Sequence, residues 1–67
     1  MLTYALKKKP GVPLYEALYR CIRQDILSGN LKPGEKLPSK RALAAHLELG
    51  KITVEAAYAQ LLSEGYI

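Results

Sequence analysis

The chain has 67 residues, 49% of them hydrophobic, with a formal net charge of +4 and a pI near 9.4. That composition suits one small globular domain and not a disordered chain, while a single cysteine, Cys21, excludes an internal disulfide and a cysteine-based zinc site. A basic balance favours a polyanionic partner, either nucleic acid or an anionic membrane surface.

Residues 1–13 end in "KKKPGVP". Two prolines and a glycine interrupt any helix there, and the lysine run reads as solvated, so the stretch is expected to be a flexible N-terminal arm. Its lysines follow the first apolar residues and no long apolar core comes after them, which is not the order of a signal peptide. No apolar run approaches the roughly 20 residues of a membrane span. The expectation is a cytoplasmic protein without a membrane partner.

From Leu14 the pattern turns helical. Leu14, Leu18, Ile22 and Ile26 recur every four residues, and Tyr15 and Tyr19 widen the stripe. Pro13 stands ahead of this run and Gly29 suits the left-handed residue behind it, which predicts a first helix over 14–28. Cys21, inside the pattern, reads as a buried free thiol. In "LKPGEKLPS", Pro33-Gly34 suits a tight turn, and Pro38 forces an extended approach into Ser39. Ser39 is a good N-cap for a second helix, "KRALAAHL", though Ala42 leaves it without a reciprocal capping box. After "ELG" a third helix carries Val54, Ala57, Tyr58 and Leu61 at helical spacing. It is expected to end at Gly65, with Tyr66-Ile67 as the first step of a strand.

Two short helices joined by a three-residue turn impose a frame of about 20 positions when they pack at a steep angle. Apolar residues must meet at the fourth, eighth, tenth, fifteenth and eighteenth places, and a small residue is needed at the fifth, where the helices come closest. Counted from Lys40, these places hold Leu43, Leu47, Leu49, Val54 and Ala57, with Ala44 at the close approach. The frame leaves Lys51, Ile52, Thr53 and Glu55 near the exposed start of the third helix, the end that enters a major groove in helix-turn-helix proteins. A small helical protein-interaction module that binds no DNA satisfies the same packing and stands as the alternative. Attachment to an anionic membrane is weakly supported, because the first helix has tyrosines but no strongly basic face.

"DILSGNLKPGEKLPSKRALAAHL", followed by "TVEAAYAQLLSEGYI", resembles the N-terminal domain of GntR-type transcriptional regulators over roughly residues 14–67. The pattern "G-x-L-x-P-G-x-K-L-P-S-x-R-x-L-A" and the pattern "T-V-x-x-A-Y-x-x-L-x-x-E-G-Y" occur together at fixed spacing, which makes the likeness specific. "PLYEALY", "SKRALA" and "TVEAAY" are most similar to the MocR-like branch. The resemblance implies a mainly α fold, the three-helix helix-turn-helix core of a winged helix domain, spanning residues 14–67. The family continues past "GYI" with a hairpin wing, so that wing is expected to be missing from this chain and the domain to be truncated before it. The implied function is sequence-specific binding of double-stranded DNA. MocR-like proteins also carry a large pyridoxal-phosphate domain of aminotransferase fold, and GntR-type regulators bind as dimers. For this chain a pyridoxal phosphate cofactor, a homodimer and an unknown small-molecule effector are implied only for a longer parent protein.

The resemblance also assigns the DNA-binding residues. Ser39, Lys40 and Arg41 open the second helix, where a hydroxyl, backbone N–H groups and a guanidinium meet phosphate or base edges. The planar fork of Arg41 is the principal anchor. Lys51 opens the third helix where the family has arginine, keeping the charge and losing the bidentate grip. Thr53 matches a family threonine that bonds phosphate. Ile52 has no polar option; facing a groove, its natural contact is a thymine methyl, and the plain alternative is a residue left exposed by drift.

Three places depart from the family pattern. Glu48 replaces the turn glycine, where a left-handed conformation costs about 1–2 kcal/mol for a residue with a side chain. Gly50 replaces the capping serine and offers to shift the flexible residue two places along. Glu55 stands where many GntR-type proteins have an arginine. His46, without cysteines or paired carboxylates, reads as a helix-surface residue. No nucleophile–base pair, phosphate-cradling glycine loop or metal spacing is present, so no enzyme, catalytic residue or metal site is expected.

Overall fold

Capping chemistry sets all three helix boundaries. The computed structural model describes residues 4, 6, 10–32 and 36–67. It shows α1 (Leu14–Ser28), α2 (Lys40–Leu47) and α3 (Lys51–Ser63) in chain order, with no β-strand among the described residues. Pro13 is extended, and its carbonyl accepts from the N–H groups of Glu16 and Ala17 at 3.1 and 3.3 Å, which starts α1. Gly29 ends it at φ 87°, a conformation that glycine adopts without strain. The chain then folds back so that the Leu31 N–H donates to the Asp25 carbonyl at 3.0 Å, and Leu31 drops into the core.

The core draws on every helix. Leu18, Tyr19 and Ile22 of α1 meet Leu31, then Leu43 and Ala44 of α2, and Val54, Ala57, Tyr58 and Leu61 of α3. The α3 helix is central, packed against both α1 and α2. Leu18, Ile22, Leu43, Val54 and Leu61 are fully buried, each side chain contributing about 1.5–3 kcal/mol through loss of apolar surface from water. Of the frame positions, Leu43, Ala44, Val54 and Ala57 are buried, while Leu47 and Leu49 pack half-buried at the core's edge. Leu14 and Tyr15, at the head of the first-helix stripe, are half-buried.

Two tyrosine hydroxyls fasten distant segments. Tyr58 of α3 donates to the Pro38 carbonyl at 2.8 Å, which pins the approach to α2 onto α3. Tyr19 of α1 donates to the Glu64 carboxylate just past α3, and the Arg23 guanidinium donates to the Tyr19 oxygen at 3.2 Å while lying over its ring. The hydrogen bond to Glu64 raises the Tyr19 pKa, and the same bond, with a second from Gln60, holds the Glu64 carboxyl below its ordinary value.

The structure departs from the sequence expectations in two places. Tyr4 and Leu6, placed in a flexible arm by the reading of residues 1–13, pack against the core instead. The Tyr4 hydroxyl donates to Asp25 at 2.6 Å, and burial followed by that hydrogen bond raises its pKa. Both side chains bring apolar area to a small core that has little to spare, and neither belongs to a periodic stripe that would have announced it. The lysine run at positions 7–9 and the Pro33-Gly34 turn lie outside the described residues.

Tyr66 and Ile67, expected to begin a strand, form none. The Tyr66 N–H instead donates to the Leu61 carbonyl at 2.9 Å and the Gly65 N–H to that of Leu62 at 3.1 Å, with Gly65 left-handed at φ 81°. This paired closure satisfies the last carbonyls of α3 and lays Tyr66 on the core. Cys21, read as a buried free thiol, is free and half-buried. Burial, and then the charge of Asp25, raises its thiol pKa, so it is no poised nucleophile.

Candidate nucleic-acid interface

The proposed interface is built from the starts of two helices. At α2, the Ser39 hydroxyl oxygen accepts from the Ala42 N–H at 3.1 Å, so Ser39 is the N-cap its position predicts. A serine hydroxyl keeps its own proton and a second lone pair, so the exposed Ser39 remains able to donate while it caps. Lys40 and Arg41 follow on the exposed first turn. At α3, Lys51 and Ile52 are exposed and Thr53 is half-buried.

The Tyr58–Pro38 hydrogen bond ties the two groups together. Tyr58 lies seven residues beyond Lys51, about 10 Å along the helix axis at 1.5 Å per residue. The start of α2 is therefore held beside the middle of α3, with the Lys51–Thr53 turn projecting about that far ahead. Tyr58 is the positioning residue that sequence reasoning missed, having read it only as part of an apolar stripe. Lys36, exposed three residues before Ser39, adds a further cation that the candidate set omitted, although the "K-L-P-S" motif contains it.

Electrostatically the two helix starts are alike. Neither α2 nor α3 has an acidic residue in its first turn, whereas α1 has Glu16 there. Within those first turns no carboxylate offsets the positive end of the helix dipole or the N–H groups it exposes, although Glu48 stands in the turn ahead of α3. Among the described residues no salt bridge or hydrogen bond engages the side chains of Lys40, Arg41 or Lys51, whereas Glu16 and Arg20 on α1 form an ion pair at 3.6 Å. Positive side chains therefore stand over positive helix ends, an arrangement suited to phosphate.

The turn resolves the question that Glu48 and Gly50 raise. Glu48 itself takes the left-handed conformation, at φ 56° and ψ 42°. Its N–H donates to the Ala45 carbonyl at 3.3 Å and that of Leu49 to the Ala44 carbonyl at 2.9 Å, so the α2 end closes as it would around glycine. The flexible position is not shifted to Gly50, which is extended at φ −65° and ψ 144°. It caps α3 without any side-chain hydrogen bond, and a Cβ there would meet only the Thr53 hydroxyl at 3.9 Å. The reason is the register: the two closing hydrogen bonds demand the left-handed residue immediately after Leu47.

Glu48 is accordingly strained and exposed, and the reverse change should help twice. Glu48→Gly is expected to raise folding stability by about 1 kcal/mol, the relief of left-handed strain less the added freedom of the unfolded chain. It also removes a negative charge from the turn that precedes Lys51, so DNA affinity should rise. Glu48→Gln, which keeps the strain and loses the charge, should raise affinity without stabilising; chemical denaturation and DNA titration of both variants check the separation.

His46 is exposed on α2. No group of three or more metal-ligating side chains occurs among the described residues, and no helix among them is long and apolar enough to cross a membrane.

A short capped helix, a three-residue turn and a second helix whose start is exposed and positive define a helix-turn-helix unit. The model for "Bacterial regulatory proteins, gntR family" matches residues 14–67, and the chain belongs to that family. It is 46% identical over 66 residues to the uncharacterized HTH-type transcriptional regulator YdeL of Bacillus subtilis (strain 168), covering 98% of this chain and 14% of that protein. To the HTH-type transcriptional regulator TauR of Rhodobacter capsulatus it is 46% identical over 54 residues, covering 81% of this chain and 11% of TauR. To the probable rhizopine catabolism regulatory protein MocR of Rhizobium meliloti it is 39% identical over 62 residues, covering 92% of this chain and 13% of MocR. The chain thus spans a small fraction of the length of these relatives.

Proposed function

We propose that this chain is the DNA-binding module of a bacterial transcription regulator and recognises double-stranded DNA sequence-specifically. The start of α3 enters the major groove, and Ser39, Lys40 and Arg41 at the start of α2 hold the flanking phosphates. The observation that carries this reading is the pair of acid-free helix starts bearing Lys40, Arg41 and Lys51 without partners among the described residues. A module evolved only to pack against another protein has no need to leave both helix dipoles uncancelled beneath free cations.

The MocR-like branch is the assignment favoured within the family, on the motifs "SKRALA" and "TVEAAY" and on the likeness to MocR itself. On that assignment pyridoxal phosphate and the main dimer contact belong to a larger domain of a longer cytoplasmic protein, and these residues carry neither cofactor nor catalysis.

Salt dependence tests the proposal. The logarithm of the association constant should fall linearly with the logarithm of salt concentration, by about 0.9 for each phosphate neutralised, so three engaged cations imply a slope of about −2.7. Fluorescence anisotropy on a labelled duplex measures it. Binding that ignores salt, or no binding to duplex at low salt, returns the chain to the protein-interaction reading.

A further inference from the structure

The outward side of α3 is apolar, which is unusual for a surface helix. Val54, Ala57, Tyr58 and Leu61 form its buried stripe. At 3.6 residues per turn, Ile52, Ala56, Ala59 and Ser63 lie on the opposite side, away from the core. Ile52 is 81% exposed, the most exposed large hydrophobic side chain among the described residues, and Ala59 and Ser63 are exposed while Ala56 is half-buried. No lysine or arginine stands on this face behind Ile52, and the helix presents small side chains along its length there.

We infer that Ile52 is a specificity-determining residue that reads the C5-methyl group of thymine. The inference rests on the DNA-binding reading and adds to it the identity of one base and the group by which it is read. The base-pair edges of the major groove offer hydrogen-bond donors and acceptors and one apolar group, the thymine methyl. An isoleucine has nothing to give the polar edges and would leave their groups dehydrated, whereas it buries its branched end against a methyl. The position supports the choice. Ile52 follows Lys51 on the projecting turn, so a phosphate held by Lys51 would set its reach into the groove. Ala56 and Ala59 behind it leave room for the helix to sit close to the bases.

The test begins with duplexes enriched by this chain from a random-core pool at low salt. The preferred duplex is then remade with deoxyuridine at each thymidine in turn, which removes only the methyl group. At one thymidine in each recognised half-site the change is expected to weaken binding about three- to tenfold, the range of a single well-packed apolar contact. Ile52→Ser, at a side chain exposed enough to leave folding intact, should weaken binding to the thymidine duplex by a similar factor. It should also bind the thymidine and deoxyuridine duplexes alike, because the contact is already gone. Equal wild-type affinity for every deoxyuridine duplex, or a thymidine preference that survives Ile52→Ser, overturns the inference. Arg41→Ala separates the two levels: if it weakens binding while the methyl substitutions do not, the DNA-binding reading stands and the thymine assignment falls. If the pool yields no preferred duplex, both fall.

Discussion

Arg41→Ala is expected to weaken binding to duplex DNA by about tenfold or more, in the range of about 1–3 kcal/mol for loss of a bidentate arginine contact, with the helical circular dichroism unchanged. The side chain is exposed and engages no described residue, so the folded domain loses nothing with it. What is lost is the planar fork aimed outward from a helix start whose dipole and N–H groups already attract phosphate. Lys51→Ala should cost less, about three- to fivefold, because an ammonium gives a point charge and no fork. It should lower the magnitude of the salt slope by about 1, as expected for one phosphate contact. Lys51→Arg is the informative companion: a gain in affinity concentrated on sequences with guanine would show that Lys51 lies within reach of base edges. If Arg41→Ala and Lys51→Ala both leave affinity unchanged, the interface has been placed on the wrong face.

The other large effect is on stability. Leu43→Ala should remove about 2–5 kcal/mol, a large share of the domain's folding stability. Leu43 is fully buried, and leucine-to-alanine changes in such sites cost about 2–5 kcal/mol through lost transfer energy and the cavity left behind. A domain of this length has only about 3–10 kcal/mol in total, at 0.05–0.15 kcal/mol per residue. The site has few ways to collapse, since α2 has eight residues and buries only Leu43 and Ala44. The same truncation at Leu62, which is 65% exposed on α3, should be nearly silent and serves as the control. Urea denaturation followed at 222 nm measures both. Near-wild-type stability of Leu43→Ala would mean that α2 is held chiefly by the Tyr58–Pro38 hydrogen bond.

The helices were legible because their signals are local. Pro13 before α1, Gly29 behind it and Ser39 before α2 each act within one turn, and the helix limits fall where those residues put them. The frame from Lys40 to Ala57 was legible for a related reason: steep packing of two consecutive helices fixes a short-range pattern. The contacts that hold these parts together carry no such signal. Tyr4 reaches Asp25 across 21 residues, Tyr58 reaches Pro38 across 20 and Tyr19 reaches Glu64 across 45. In each case a tyrosine that reads as ordinary apolar material uses its hydroxyl on a partner far along the chain.

For the candidate site, sequence names the residues and the structure adds their surroundings. Charge and motif name Arg41 and Lys51, and only the structure shows both free, among the described residues, of the ion pairs that would compete with phosphate. At the turn, sequence left open whether Glu48 or Gly50 would carry the unusual backbone. The two closing hydrogen bonds decide for Glu48, because their register is counted from the end of α2 and takes no account of where a glycine happens to stand.

The Tyr58–Pro38 bond has a consequence for how such a module can diverge. Its acceptor is a main-chain oxygen, which every amino acid supplies, while its donor is one phenol. Drift in the connector at positions 36–38 can thus rewrite side chains without removing the acceptor of the bond that pins the connector to α3. Of the two partners in this bond, only the tyrosine is constrained in its side chain. Side chains around the connector can therefore vary while the apolar packing of α2 on α3 and this one hydroxyl keep the two helix starts in place.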